Sequence, residues 1–209
     1  MPDLKICFFQ VTSPEIYDYS NYATKLNKKY CELHYYEYLE VPLVEREDYA
    51  PQWGKIFATI ELLKIDKYTH IFCLDADAVV LNRSIKLESI IAKMRTAIAF
   101  SENGKNGGGL INTGAFIVNP QAIEILEQCV RLAEEEMRDR KMNVYHEQDV
   151  IAKMYAEGLE MDIFPMNEMN SYWLYDIHAN DGQFIYHFMG RSLEEKTQIA
   201  KDLFEKYNF

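Results

Sequence analysis

The chain has 209 residues, 48% hydrophobic and 13% aromatic, which is enough for one substantial core, so we expect a single domain over residues 1–209. Its formal net charge of −11, with no cluster of Lys or Arg, argues against nucleic acid as a partner, because a phosphate backbone would be repelled. No run of about 18 apolar residues predicts a membrane span, and the N-terminus has no secretory pattern. We therefore expect a soluble monomer.

The cysteines are widely spaced and form neither a CxxC pair nor a disulfide ladder; they are Cys7, Cys31, Cys73 and Cys129. Two of them lie inside apolar runs, where free cysteine behaves as a small hydrophobic residue. We expect four reduced thiols and no structural zinc. This predicts a reducing compartment, the cytoplasm.

Apolar runs alternate with helical periodicity along the chain. The first part is predicted to be a β-α-β-α-β series over Leu4–Val11, Pro14–Tyr30, Glu32–Tyr38, Pro51–Ile65 and Tyr68–Leu74. Further strands are predicted at Ala97–Phe100, Ala115–Val118, Met161–Phe164 and Phe184–Phe188, with helices over Pro120–Lys141 and Glu147–Gly158. The alternation indicates an α/β fold, with a mainly parallel central sheet and helices on both faces.

Two acids, Asp75 and Asp77, follow the third predicted strand and are separated by Ala76. Alternate side chains of a strand share a face, so their Cα atoms should lie roughly 6–7 Å apart. Carboxylate oxygens suit Mg²⁺ or Mn²⁺, and a cation would offset the cost of two like charges beside a buried strand. We predict a divalent metal site at the carboxyl ends of the strands, near Thr12, with solvated acids in an exposed turn as the alternative.

Other segments could complete a site, although each has a simpler explanation by itself. The loop Ser101–Leu110 holds four of the nine glycines, which is more typical of a mobile loop than of a phosphate-binding one. Acids that open a helix complement its dipole, and a histidine between aromatic residues is usually only packed. The remaining candidates are Ile111–Phe116, Glu147–Asp149, Asn167–Tyr175 and His187.

Taken together and in this order, the motifs resemble nucleotide-sugar-dependent glycosyltransferases with the GT-A fold, and in particular the galactosyl-, mannosyl- and xylosyltransferase family of fungal mannan and plant xyloglucan synthesis. The likeness runs through Tyr22-Ala23, Tyr30, Trp53-Gly54-Lys55, Leu74–Ala78, Asn112-Thr113-Gly114, Glu147-Gln148-Asp149 and Gly182–Gly190. The chain also resembles the N-terminal glycosyltransferase domain of a large chlorella-virus protein, which would place it in host cytoplasm. From the length of the chain we expect no membrane anchor or stem like those of the eukaryotic enzymes. Whether it is one domain of a longer protein stays open.

The resemblance implies roles for individual residues. Asp75 and Asp77, with Ala76 between them, would form the DxD motif and hold a divalent cation together with His187. Imidazole in the ligand set favours Mn²⁺, with Mg²⁺ as the alternative ion. Lys196 and Lys55 would contact the donor diphosphate, with Arg191 a further cation. The resemblance also implies nucleoside contacts from Gln10, Val11, Thr12, Ser13 and Tyr17 or Tyr19, donor contacts from Asn112, Gly114 and Gly190, and acceptor contacts from Asn170 and Trp173.

The implied reaction moves a hexose or deoxyhexose from a UDP-sugar to a glycan hydroxyl with retention of anomeric configuration. Gln148 and Asp149 would lie beneath the sugar, and the departing phosphate would deprotonate the acceptor, so no protein nucleophile is required. Two alternatives remain. A strand followed by Asp-x-Asp-x-Val-Val also matches haloacid-dehalogenase-type phosphatases, in which Asp75 would attack phosphorus and Asn180-Asp181 would be the late acidic motif. The second alternative is a module that binds a sugar nucleotide without catalysis.

Overall fold

The computed structural model describes residues 4–103, 111–138, 146–172 and 183–207. Its strands are β1 Ile6–Thr12, β2 Glu37–Pro42, β3 His70–Leu74, β4 Ala78–Val80, β5 Ile98–Glu102, β6 Ile111–Val118, β7 Asp162–Phe164, β8 Ser171–Tyr172 and β9 Ile185–His187. Its helices are α1 Tyr17–His34, α2 Gly54–Lys64, α3 Leu87–Ile91, α4 Ile123–Arg138, α5 Glu147–Ala156, α6 Met166–Met169 and α7 Leu193–Tyr207.

The central sheet has six strands in the order β2-β1-β3-β6-β5-β7. The pairs β1–β2, β1–β3 and β5–β7 are parallel, whereas β6 runs antiparallel to both β3 and β5. This arrangement confirms the predicted α/β fold with its mainly parallel sheet. It brings the carboxyl ends of β1 and β3 to one edge, beside the first residues of β6.

Strands β1, β3 and β6 form the centre of the core, because β1 and β3 are mostly apolar and the apolar second half of β6, Ala115–Val118, pairs with β3. Phe8 and Phe72 pack with ring centroids 4.9 Å apart, and Phe72 pairs with Ile117 on the next strand. These strands are buried along almost their whole length. The residues that follow them are therefore held on a rigid base.

A second, three-stranded sheet lies beside the first in the order β4-β9-β8. Strand β4 begins directly after Asp77, and its Ala78 pairs with His187 of β9. The backbone N–H of Phe188 donates to the carbonyl of Asp77 at 3.0 Å. This small sheet brings the end of the chain back to the two acids.

Three prolines begin the turns that lead into long helices. Pro14, Pro51 and Pro120 each open a short 3₁₀ turn that continues into α1, α2 or α4. Proline fixes φ near the helical value and has no N–H to leave unpaired in a first turn. The predicted helices at these positions are confirmed, each with a 3₁₀ first turn.

Some predicted boundaries were wrong. Helix α1 continues to His34 and ends at Tyr35, which adopts φ 60°, so β2 begins at Glu37 rather than at Glu32. Strand β6 begins at Ile111 rather than Ala115, since its small polar residues are buried in the sheet. Strand β4 and helix α3 were not predicted, and neither was the part of helix α7 from Leu193 to Leu203. Residues 104–110 of the glycine-rich loop and residues 139–141 of the helix predicted over Pro120–Lys141 lie outside the described residues. Within the described ranges, no helix is both long and apolar enough to span a bilayer.

Candidate active site

A cavity of about 470 Å³ lies at the edge of the sheet where β1 and β3 end. Such edges collect functional groups because several strands end there and their loops are free to carry polar residues. The lining includes fourteen residues predicted from the sequence: Val11, Thr12, Ser13, Lys55, Asp75, Ala76, Asp77, Asn112, Gly114, Gln148, Asp149, His187, Gly190 and Lys196. Residues that are far apart in sequence thus meet in one cavity.

Asp75, Asp77 and His187 form a cluster in which one ligand atom from each lies within 4.8 Å of the others. Nε2 of His187 lies 2.9 Å from Oδ1 of Asp77 and 3.8 Å from Oδ2 of Asp75. The cluster thus offers two carboxylates and one imidazole nitrogen, a donor set that suits Mn²⁺. The residues therefore fit a divalent cation.

Gly114 leaves the room that the His187 ring occupies. A Cβ at this position would overlap Cε1 of the ring and would lie 2.7 Å from its Nδ1. The carbonyl of Gly114 also accepts a hydrogen bond from the backbone N–H of Asp75 at 2.7 Å. Gly114 therefore affects two members of the cluster, one through space and one through the backbone.

Lys55 lies between two carboxylates. Its Nζ is 2.9 Å from Oδ1 of Asp75 and 3.0 Å from Oε1 of Glu147, and the lysine and glutamate side chains are almost completely buried. Burial disfavours the charged ammonium, but the two carboxylates outweigh it and raise the pKa of Lys55 above its ordinary value. Burial also opposes ionisation of Glu147, yet Lys55 and Thr113 hold the pKa of that carboxyl below its ordinary value.

Lys196, from the first turns of α7, contacts the other acid. Its Nζ lies 2.6 Å from Oδ2 of Asp77 and 5.4 Å from the centroid of the Tyr19 ring. Burial would raise the pKa of the Asp77 carboxyl, but His187 and Lys196 outweigh burial and lower it below the ordinary value. Asp77 is therefore held in the ionised form that a metal ligand requires.

Gln148 and Asp149 enter the cavity from the first turn of α5. Oε1 of Gln148 accepts the backbone N–H of Thr113 at 3.2 Å, and the hydroxyl of Thr113 donates to Glu147 at 2.8 Å. Strand β6 thus fixes the start of this helix against the sheet. It does so on the same side of the cavity as Lys55.

Gln10 lies behind the cavity rather than in its wall. Its side chain is fully buried and donates to the carbonyl of Asp75 at 2.9 Å. Asn27 of α1 donates to Oε1 of Gln10 and to the carbonyl of Ala78, each at 2.9 Å, and accepts the N–H of Val80 at 2.8 Å. These two amides hold the backbone on both sides of Asp77.

Three other predicted residues that the structure describes, Tyr17, Asn170 and Arg191, do not line the cavity. Tyr17 is 59% exposed at the start of α1, whereas Tyr19, its alternative for stacking on a base, is in the lining. Asn170 is completely buried and donates to Oδ1 of Asn112 at 2.6 Å, so it supports a lining residue from behind. Trp173, the other predicted acceptor residue, lies outside the described residues.

Sequence reasoning missed two contributors. Glu147 was noted only as an acid at a helix start, and Asn27 was not singled out at all. The spacing of Asn27 gave no signal, because it lies in an amphipathic helix among ordinary polar residues. Glu147 could have been found only from its pairing with Lys55, a contact between residues 92 positions apart that the fold creates.

The fold was compared with solved structures. A glycosyltransferase involved in the glycosylation of the major capsid of PBCV-1 matches with a TM-score of 0.77 and 18% identity, over 95% of this chain and 99% of that one. The chain has the fold of a GT-A glycosyltransferase. The fold that the sequence motifs implied is thus confirmed.

Two further solved structures match as well. The galactosyltransferase LgtC, solved with donor and acceptor sugar analogs, has a TM-score of 0.56 and 12% identity, over 97% of this chain and 96% of that one. The glycosyltransferase GlyE of Streptococcus pneumoniae TIGR4 has a TM-score of 0.62 and 11% identity, over 99% of this chain but 64% of that one. No protein-family model and no curated protein matches the sequence. The similarity is therefore one of fold.

Proposed function

We propose that this chain is a metal-dependent glycosyltransferase that moves a hexose or deoxyhexose from a UDP-sugar to a glycan hydroxyl with retention of configuration. The observation that carries the proposal is the cluster of Asp75, Asp77 and His187 in the wall of a cavity that Gln148 and Asp149 also line. The solved structures with this fold support the proposal, because the proteins are described as glycosyltransferases. LgtC, described as a galactosyltransferase, supports a hexose in particular.

Asp75, Asp77 and His187 would hold the cation, which we propose to be Mn²⁺. A divalent cation at this position supplies Lewis-acid stabilisation of the charge that develops on the nucleoside diphosphate as it leaves. The ends of β1 and the first residues of α1 provide the wall for the nucleoside, from Val11 and Thr12 to the ring of Tyr19. Lys196 adds a positive charge on the same side as the cation.

Gln148 and Asp149 are the residues that we propose to act on the sugar. Both line the same cavity as Val11, Thr12 and Tyr19, and we propose that the sugar of the donor lies beside them. In the proposed reaction the bond from the anomeric carbon to the phosphate oxygen breaks, the acceptor hydroxyl oxygen forms a bond to that carbon, and the leaving phosphate takes the acceptor's proton. Asp149 would orient hydroxyl groups, so its loss should reduce turnover more than donor binding.

The cysteines support the proposed cytoplasmic location. Cys7, Cys31, Cys73 and Cys129 are all free and buried. Burial raises the pKa of the Cys129 thiol to about 12, so it stays in the unreactive thiol form. Four buried thiols without a disulfide are typical of proteins that fold in a reducing compartment.

The first test is calorimetric titration of UDP in the presence of Mn²⁺, Mg²⁺ or EDTA. We expect wild-type protein to bind UDP with Mn²⁺ and to lose most of that affinity with EDTA. Asp77→Asn keeps the shape of the side chain and removes its charge, so it should lose metal-dependent binding. Asp202→Asn changes the net charge equally at an exposed position on α7 and should bind as wild type does. Metal-independent UDP binding, or none, would contradict the assignment.

The donor and the chemistry need a second experiment. A panel of UDP-sugars with Mn²⁺, read by mass spectrometry of released UDP and of acceptor glycans, would rank the donors. Asp149→Asn and Gln148→Ala should keep UDP affinity within about threefold and lose at least about a hundredfold in turnover. Turnover that survives both changes would point to other catalytic groups. A protein that binds UDP-sugars but turns none over would instead be the binding module.

No observation favours the phosphatase. Oδ1 of Asp75, one of the two atoms that would attack phosphorus, lies 2.9 Å from the ammonium of Lys55. The third member of the cluster with Asp75 and Asp77 is a histidine, His187. Asn180-Asp181, the candidate late motif of that class, lies outside the described residues.

A further inference from the structure

Lys196 shares the carboxylate of Asp77 with the candidate metal cluster. Its Nζ lies 2.6 Å from Oδ2, while Oδ1 of the same carboxylate lies 2.9 Å from Nε2 of His187. A divalent cation bound through Asp77 would lie close to this ammonium. The two positive charges would repel each other and would compete for one negative charge.

The environment of Lys196 allows its ammonium to move. The side chain is 18% exposed, it extends along the ring of Tyr19, and it lines the cavity together with Gly190. A lysine ammonium is a point charge on a flexible four-carbon stem, so it can leave one anion for another a few ångströms away without movement of the helix. By contrast, Lys55 is buried between Asp75 and Glu147 and has no such freedom.

The balance of charge at the site points in the same direction. Asp75, Asp77 and Glu147 carry three negative charges, against the two positive charges of Lys55 and Lys196. A divalent cation alone would give these five ion-paired side chains an excess of one positive charge. A diphosphate that arrives with the cation removes that excess and offers Lys196 a new partner.

We propose that Lys196 makes binding of the metal and of the diphosphate cooperative, by opposing the cation when it binds alone and favouring it when a diphosphate is present. This rests on the proposed function, since it takes the acidic cluster as the metal site and the cavity as the diphosphate site. Coupling of this kind is reciprocal, so each ligand raises the affinity of the other by the same factor. The protein would then bind the loaded donor in preference to the free metal.

The test measures two affinities in Lys196→Gln. Electron paramagnetic resonance of Mn²⁺ reports free ion directly, first with Mn²⁺ alone and then with inorganic pyrophosphate, which carries the diphosphate without a base. We expect Lys196→Gln to bind Mn²⁺ alone about tenfold more tightly than wild type. It should bind pyrophosphate in the presence of Mn²⁺ roughly tenfold more weakly.

Controls separate charge from structure. Lys201→Gln makes the same change at an exposed position on the same helix and should leave both affinities unchanged. Lys196→Arg keeps the charge and should keep weak binding of Mn²⁺ alone. Lys196→Met also removes the charge and keeps an apolar side chain beside Tyr19. It replaces the Gln variant in the test if that variant unfolds at a lower temperature than wild type.

The outcomes are distinguishable. A change of the two affinities in opposite directions supports the proposal, because a purely structural defect would weaken both. Equal weakening, or no change in Mn²⁺ affinity, overturns it while leaving the metal site intact. If wild-type protein binds Mn²⁺ neither alone nor with pyrophosphate, the proposed function itself fails.

Discussion

The ammonium of Lys55 lies 3.0 Å from Oε1 of Glu147, and both side chains are more than nine-tenths buried. The same ammonium contacts Asp75, so one lysine joins the acids that follow β3 to the first residue of α5. A buried charge without its partner is costly, whereas removal of both partners together costs much less. The segment that follows β3 and the start of α5, which both line the cavity, are therefore held together by charge.

Lys55→Met should destabilise the protein by about 3–5 kcal/mol, because it leaves two carboxylates without their counter-ion. The double variant Lys55→Met/Glu147→Gln should recover part of that loss, since one uncompensated charge is gone. Urea denaturation of both variants measures the difference. The exposed Lys64→Met, which breaks the surface pair with Glu61, should change stability by less than about 0.5 kcal/mol. A double variant no more stable than Lys55→Met would contradict this account.

Asn27→Ala should lower both stability and metal affinity. The change removes hydrogen bonds to Gln10, to Ala78 and to Val80, and it leaves buried backbone groups without partners. We expect a loss of about 2–4 kcal/mol in the free energy of unfolding and weaker binding of Mn²⁺. Asn119→Ala removes a helix-cap hydrogen bond far from the cavity and should cost about 1 kcal/mol with unchanged metal affinity. Retained Mn²⁺ affinity in Asn27→Ala would show that the two amides serve only the fold.

Gly114→Ala should displace His187, since the new methyl group would overlap the imidazole ring. We expect Mn²⁺ affinity to fall by about tenfold or more, and stability by about 1–3 kcal/mol. Gly54→Ala is the matched control, because its methyl group would overlap the tip of Leu43, a flexible side chain, and would meet neither the acids nor His187. Similar Mn²⁺ affinities in the two variants would argue against His187 as a ligand. Titration with Mn²⁺ followed by electron paramagnetic resonance measures both affinities, and thermal unfolding measures the stability of each variant.

Asp162 should make stability depend on acidic pH. Burial would raise the pKa of its carboxyl, but the backbone N–H groups of Arg95 and Thr96, at 2.6 and 2.8 Å, outweigh burial and lower it. A carboxyl whose pKa is lower in the folded state stabilises the protein above its unfolded pKa of about 4, and this contribution is lost as the pH falls through the folded value.

The variant Asp162→Asn tests this dependence. At pH 7 it should be about 1–3 kcal/mol less stable than wild type, and the difference should shrink as the pH falls below about 4. Urea unfolding at pH 7, 5 and 3.5 follows the difference, with the exposed Glu160→Gln as control. A difference that stays constant over this range would show that the carboxylate's charge does not matter.

The main elements of the sheet and the acids at its edge were predictable from the amino-acid sequence. Short, mostly apolar runs such as β1 and β3 are typical of strands buried on both faces, and the alternation of such runs with helical periodicity indicates an α/β sheet. Asp75 and Asp77 were predictable because they directly follow such a strand. Short elements such as β4 were not, since three residues carry no readable period.

The polar residues that face the cavity could be told from those that hold its lining in place only in the folded structure. Gln10 and Asn170 were predicted to contact ligands. Both are instead buried, and each donates a hydrogen bond to a residue that lines the cavity. The pairing of Lys55 with Glu147 joins residues of α2 and α5 and follows from the packing of both helices against one sheet. Side-chain partners across such sequence distances depend on the three-dimensional register of the elements, which local periodicity does not encode.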